Sequence, residues 1–534
     1  MRALPLIAAF VLVAGPVAAQ SIDRTQVARI VDEGTNRSEV MATAEHLADV
    51  IGPRMTNSPG MRRAEAWTQE RFRGWGLSNV HKEGFAFGRG WWIERSSVRM
   101  VTPRPIQLTA IPIAWTPPTK GTLTAPIVVA PMRKPEHFTK WRGKLAGKIV
   151  LVSMPSEGSE PTQPAFKRLS DEDLAKLDSY KEPSWDPEQQ ATKMKEALFE
   201  KQLTDFLTSE GALAYAVQSR RDGKLIFGEG YLHHVGETPK IPGVEIAAED
   251  YRRLARLALL GSAPTLEIES NVHFDDSDPQ AYNIIADIPG SDPKAGYVMA
   301  GAHLDSWAAG DGAADNGAGS AMVMEAARIL SALGVKPKRT IRFALWAGEE
   351  QALYGSIAYI EQHLATRPAP DHALGADEFY DSWATRFPIT LLPGHKDLAA
   401  YFNIDNGSGK IRGIYAENNV AVVPIFEEWL APFASMGAKS VVIQKTEGTD
   451  HQFMQSVGIP AFQFIQDPLD YSARVHHSQL DTFDHLKGAD MRQGAVILAA
   501  FLLDAANADK PLPRMPVPQA PKVTNMFAYP DPDK

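Results

Sequence analysis

Apolar residues recur along this chain with two different periods, and the changes between them mark its elements. In RSEVMATAEHLADVIGPRMTNSPGMRRAEAWTQERFRGWG, from Arg37, residues Leu47, Val50 and Ile51 recur at helical spacing before Pro53, Ser58 and Pro59 break the pattern. YVMAGAH from Tyr297, RTIRFALWAGEE from Arg339 and AYFNID from Ala400 are instead short apolar runs, as strands buried on both faces require. A glycine-rich turn after the first run leads into a helix with Met322, Ala326, Ile329, Leu330 and Leu333 on one face. AYNIIADIPG, from Ala281, reads as the strand that brings the chain back to this sheet. The fold class is therefore α/β, with a mixed, largely parallel sheet flanked by helices.

The pattern also divides the chain. Residues 20–117 read as the N-terminal part of the catalytic domain, 118–270 as an insertion and 271–508 as the catalytic domain proper. Within the insertion, GKIVLVSMP from Gly147 is a buried strand, and a polar, Pro-rich stretch runs from Pro155 to about Gln190. A helix then leads into GALAYAVQS from Gly211, and IPGVEIAAEDYRRLARL from Ile241 closes the unit. Residues 366–397, rich in Pro, Asp and aromatic side chains, form a loop insertion placed to restrict substrate length. Prolines 511, 513, 516, 518 and 521 exclude helix from the tail, residues 509–534.

All three apolar runs end in groups that bind metals. His303 closes the first, Glu349 and Glu350 the second, and Asp405 the third, while Asp315 follows the first run and His477 lies further on. Open α/β sheets bind ligands at the carboxyl ends of their strands. Two divalent ions roughly 3.5–4 Å apart need one bridging carboxylate and two further ligands each. Asp315 serves as bridge, Glu350 and His477 complete one ion, and His303 and Asp405 the other. Nitrogen and oxygen ligands without cysteine favour zinc, with cobalt and manganese as alternatives. Glu349, beside a ligand but not one itself, is the candidate general base. Asp305 is the candidate acceptor for the second ring proton of His303. Trp307, Asp450, His451 and His476 are candidates for the substrate pocket, although GTDH from Gly448 reads equally as a helix cap formed by Thr449 or Asp450. GDGAADNGAG lacks the Gly-Lys-Ser/Thr ending and the spaced glycines of nucleotide loops.

HLDSW, DGAADNGAG, RTIRFALWAGEEQ, NIDNGSG, EGTD and HHSQLDT together resemble the M28 metallopeptidases, in particular their plasma glutamate carboxypeptidase branch, across most of residues 25–505. The resemblance implies two zinc ions per chain on His303, Asp315, Glu350, Asp405 and His477, with Glu349 as base. It selects His477 over His476, because Ser478, Asp481 and Thr482 follow at the family's offsets. It further implies the zinc-exopeptidase fold with a protease-associated, β-rich insertion, a cis peptide at Asp315–Asn316, and a possible homodimer. The implied substrates are dipeptides or short peptides with a free amino terminus. An M20-type amidohydrolase would place a dimerisation domain between Glu350 and Asp405, where the gap is short. A non-enzymatic relative on a decayed peptidase fold would lack ligands, and here the set is complete.

Bulk properties narrow the setting. Residues 1–19 read as a secretory signal, with Arg2, an apolar run through Val13, and Val17-Ala18-Ala19 before Gln20. That expectation places the mature chain in the periplasm or outside the cell, with no membrane span. None of the 534 residues is a cysteine, so disulfides play no part in stability. A net charge of −9 gives no basic footprint for nucleic acid.

Overall fold

The computed structural model describes residues 23–158, 164–178, 199–234, 237, 240–262, 264–370 and 374–519. The expected signal and the end of the Pro-rich tail lie outside these residues.

Two eight-stranded sheets organise the chain. The catalytic sheet runs Ser78–Ala86, Gln280–Ile288, Thr340–Trp346, Tyr297–His303, Leu398–Asn403, Ala461–Gln466, Ile411–Tyr415, Ser440–Val442. Its four central strands, from Thr340–Trp346 to Ala461–Gln466, pair in parallel, and antiparallel strands flank them. Alternation along these strands covers both faces. Val298, Ala300, Ile341, Phe343 and Leu345 pack into one core with helices Ala318–Ala332 and Gly488–Asn507. Met299, Ala344, Trp346 and Tyr401 pack into the other, with Ile357, Tyr359, Trp383 and Phe453.

Two helical expectations change. Ala318–Ala332 is buried on all sides from Ala318 to Leu330, not along one stripe, because it lies between the sheet and its neighbouring helices. Val50 is 65% exposed, whereas Leu47 and Ile51 are buried. The chain forms a π-helical turn over His46–Ile51. More residues per turn keep position 51 above position 47 and swing position 50 outward.

The second sheet runs Ile106–Gln107, Gly90–Thr102, Thr265–Asp275, Leu123–Val129, Ile149–Leu151, Ala214–Gln218, Gly243–Ile246, Ala110–Pro112. Its strands therefore lie on both sides of residue 118, since Gly90–Thr102 pairs with almost the whole of Thr265–Asp275. Helix Ala248–Leu259 covers one face through Tyr251 and Leu254. The 366–397 insertion carries the helix Ala376–Trp383, whose Phe379 stacks on Tyr354 and whose Tyr380 reaches the cavity described below. The tail follows the catalytic domain as far as it is described: Asn419 donates to the Pro513 carbonyl, and Arg514 to that of His395.

Candidate metal centre

Strand register brings the first candidates together. His303 pairs with Trp346, so Glu349 and Glu350 begin three residues beyond the same edge. Gly301 pairs with Asn403, and two more residues carry Asp405 to the level of His303. The third strand thus ends at Asn403, two residues short of the expected Asp405. Asp315 arrives on the turn Ala313–Gly317, and the Asp315–Asn316 peptide is cis, as the resemblance implied.

The five candidate ligands converge around Asp315. His303 Nε2 lies 3.4 Å from Asp315 Oδ1 and 3.3 Å from Asp405 Oδ1. His477 Nε2 lies 3.4 Å from Asp315 Oδ2 and 3.0 Å from Glu350 Oε2. Each oxygen of Asp315 thereby faces a different imidazole. His303–Asp315–Asp405 and Asp315–His476–His477 are the groups of acids and histidines compact enough to hold an ion among the described residues. The tautomers support the same arrangement. His303 Nδ1 is 3.0 Å from the Asp305 carbonyl oxygen, and His477 Nδ1 is 2.6 Å from Glu229 Oε1. With Nδ1 donating in both rings, a neutral imidazole turns its Nε2 lone pair toward the carboxylates. Lone pair then faces lone pair unless a cation lies between. Asp315 Oδ2 and Glu350 Oε1 are buried and make no hydrogen bond, so the donor set fits metal ions.

The electrostatics ask for the same positive charge. Burial pushes Glu349 well above the usual carboxylate range and Glu350 up to about 7, with neighbouring acids adding to the effect. Burial opposes charge on His303 and His477, yet the surrounding carboxylates raise both above the ordinary imidazole range. Divalent ions would invert these preferences by stabilising the carboxylates as anions. Glu349 Oε2, 3.8 Å from His303 Nε2, stands at the edge of the cluster.

Asp305 acts differently from the sequence expectation. Its backbone carbonyl, not its carboxylate, takes the His303 ring proton; Oδ1 is 3.7 Å from Nδ1. The carboxylate instead accepts the backbone N–H groups of Glu349 and Glu350, each at 3.2 Å. It orients the acidic pair from below. The carboxylate of Asp481 does the same for Asp315, accepting from Ala314 N and Asp315 N.

Of the four pocket candidates, only His476 lines the cavity beside the cluster, stacked 3.8 Å from the His477 ring. Trp307 packs behind His477, 6.1 Å from its ring, and against Trp115 and Tyr231. His451 is buried, with Nε2 3.0 Å from the Thr446 hydroxyl. Asp450 is fully buried; burial pushes it up to about 8, against the pull of His303 and the Ser356 hydroxyl. Neither Thr449 nor Asp450 caps the helix His451–Gln455 with a side chain, because the Thr449 hydroxyl accepts from Asn403 instead.

Sequence reasoning missed three contributors. Arg54 is fully buried and donates to the carbonyls of Leu47, Gly52, Leu304, Asp311 and Gly312, tying the end of the His303 strand to the turn before Asp315. Glu229 holds His477, and burial is outweighed by His477 and Arg220, which keep its carboxyl down at about 2. Arg221 lines the cavity with Tyr231, Tyr380, Tyr415 and Tyr471. The cavity volume is about 570 Å³. All three missed residues lie far from the motifs in sequence, and no local signal singles them out.

The comparisons with known proteins bear on the family and the fold. Residues 283–502 match the profile of peptidase family M28. These residues belong to peptidase family M28. The matched segment holds all five candidate ligands, His303, Asp315, Glu350, Asp405 and His477. Mouse carboxypeptidase Q (Mus musculus) is 26% identical over 478 residues, spanning 88% of this chain and 86% of its own. The crystal structure of an M28 peptidase precursor from Shewanella amazonensis superposes with a TM-score of 0.65 at 21% identity, over 93% of this chain and 98% of its own. A zinc aminopeptidase from Bacillus subtilis superposes with a TM-score of 0.54 at 19% identity, over 87% of this chain and 94% of its own. The M28 match supports a metallopeptidase, and the likeness to carboxypeptidase Q supports an exopeptidase among them.

Proposed function

We propose that this M28 chain is an exported, dinuclear zinc exopeptidase that hydrolyses dipeptides or short peptides with a free amino terminus. The observation that carries the reading is Asp315 set between two imidazoles, each with its Nε2 turned inward. In this reading Asp315, His303 and Asp405 would hold one ion, and Asp315, Glu350 and His477 the other. Such ions supply Lewis acidity, polarising the scissile carbonyl and making a water acidic near neutral pH. Glu349 takes the proton from that water and returns it to the departing amine. Asp305 and Asp481 keep the carboxylates aimed through the backbone. Among the described residues Arg221 is the one arginine or lysine lining the cavity, placed to meet the carboxylate end of a short peptide.

The zinc aminopeptidase of Bacillus subtilis, which shares the fold, favours zinc here. The insertion expected over 118–270 is in this reading a protease-associated unit built on the second sheet, whose strands extend from Gly90 to Asp275. No helix among the described residues is long and apolar enough to cross a membrane. Export is tested by cell fractionation and by an amino-terminal sequence beginning at Gln20, and the proposed homodimer by light scattering. The reaction is tested on free dipeptides, N-blocked peptides and C-amidated peptides, before and after chelation. Zinc-restored cleavage of the free dipeptides is expected. Failure on every unblocked substrate overturns the proposal.

A further inference from the structure

We infer that Glu229 is a positioning residue for the metal centre, so that the second sheet completes a site whose candidate ligands all belong to the catalytic domain. The inference rests on the dinuclear reading and adds to it. Glu229 lies in the connection between strands Ala214–Gln218 and Gly243–Ile246, more than two hundred positions from His477. Its Oε1 accepts the His477 Nδ1 proton at 2.6 Å, and its other oxygen accepts from the Arg220 guanidinium. Arg220 is itself fixed, 3.8 Å above the ring of Phe227. The chain Phe227, Arg220, Glu229, His477 therefore crosses from one sheet to the other and ends on a candidate ligand.

A separate set of bonds holds the same seam. Ile226 N donates to Gln479 Oε1 at 2.9 Å, Gln479 N to the Ile226 carbonyl at 3.2 Å, and Gln479 Nε2 to the Lys224 carbonyl at 3.0 Å. These bonds converge on Gln479, two residues from His477, yet none of them touches the His477 ring. His477 also sits at φ +60°, a left-handed conformation that a histidine keeps only when its surroundings impose it. Glu229 supplies the direction that backbone preference does not. By accepting from Nδ1 it fixes the tautomer and points Nε2 at Asp315 and Glu350. Carboxylates behind metal-bound imidazoles typically contribute 10–100-fold in metal affinity.

Competitive chelator titration of Glu229→Ala and Glu229→Gln tests this, with the visible spectrum of the cobalt-loaded protein as a second readout. Wild type should hold two ions. In Glu229→Ala one ion should weaken about 10–100-fold while the other is unchanged, with a smaller loss in Glu229→Gln, which keeps an acceptor oxygen. The spectrum of the weakened site should change in both. Gln479→Ala cuts the seam without touching the ring and should leave both affinities intact. Unchanged affinities in both Glu229 variants overturn the inference alone, as does equal weakening by Gln479→Ala. If Glu229→Ala fails to fold, Glu229→Gln decides by the same measurements. A wild type that binds fewer than two ions overturns the dinuclear reading itself.

Discussion

The two sheets contribute to the centre by different means. On the catalytic sheet, parallel register alone sets His303 level with Asp405 and places the Glu349–Glu350 pair just beyond the same edge. On the second sheet, Glu229, Arg221 and Tyr231 come from a connection without regular structure, and they reach the site only because the two sheets dock. Register is a local property that each strand carries in its own sequence. Docking depends on surfaces assembled from distant segments. The difference teaches that the chemistry is encoded in strand ends and its alignment in an interface.

The largest effects are expected on the catalytic sheet. Glu349→Gln should lower kcat by about 10²–10⁴-fold while both proposed ions stay bound, because on the proposed mechanism it removes the proton carrier and no ligand. Asp315→Ala should lose the ions themselves, read by elemental analysis of the dialysed protein. Near-normal kcat in the first variant, or two retained ions in the second, would break the division between a base and a bridge.

Arg54→Met comes next. It removes five bonds to backbone carbonyls around the centre and leaves those oxygens buried, at a cost of about 3–5 kcal/mol if the loop does not rearrange. Urea unfolding measures the loss. A variant as stable as wild type would mean that strand register holds the turn without this arginine.

Arg221→Ala sharpens the role of the second sheet. It should raise KM for peptides with a free carboxylate by about tenfold, the worth of one exposed charged hydrogen bond, and leave C-amidated peptides unaffected. An equal change for both substrates would assign Arg221 to docking, through its bond to the Ser472 carbonyl, and not to recognition.

The same contrast explains what the sequence discloses. The strand 297–303 and the groups beyond each strand end are legible because apolar runs and metal-binding residues adjoin in sequence. The role of Asp305 differs from the expectation because sequence spacing cannot distinguish a carboxylate from the carbonyl of the same residue as the acceptor for His303. Val50 departs from the helical pattern because a π turn leaves no mark in an apolar pattern with helical spacing. Glu229 and Arg54 could not be found at all, since an isolated acid or base becomes functional only through a partner supplied by the fold.

Asp504 provides the smallest effect and a control for buried charge outside either sheet's contribution. It lies on the helix Gly488–Asn507, where burial, helped by Glu428 and Asp23, pushes its carboxyl up to about 7. Its ordinary value is near 4, so between about pH 4 and 7 the folded state binds a proton that the unfolded state releases. Stability contributed by the neutral form is therefore complete at low pH and lost as pH rises through about 7. Asp504→Asn should remove that decline, leaving the variant more stable than wild type by about 1 kcal/mol at pH 8 and indistinguishable at pH 4. Glu350 is raised to a similar value, but it faces His477 and the proposed ions, which favour its charged form. Urea midpoints with and without zinc separate the two acids. The gain from Asp504→Asn should persist in both conditions, whereas added zinc should abolish the decline contributed by Glu350. A gain that vanished with zinc would place Asp504 within the electrostatic reach of the centre.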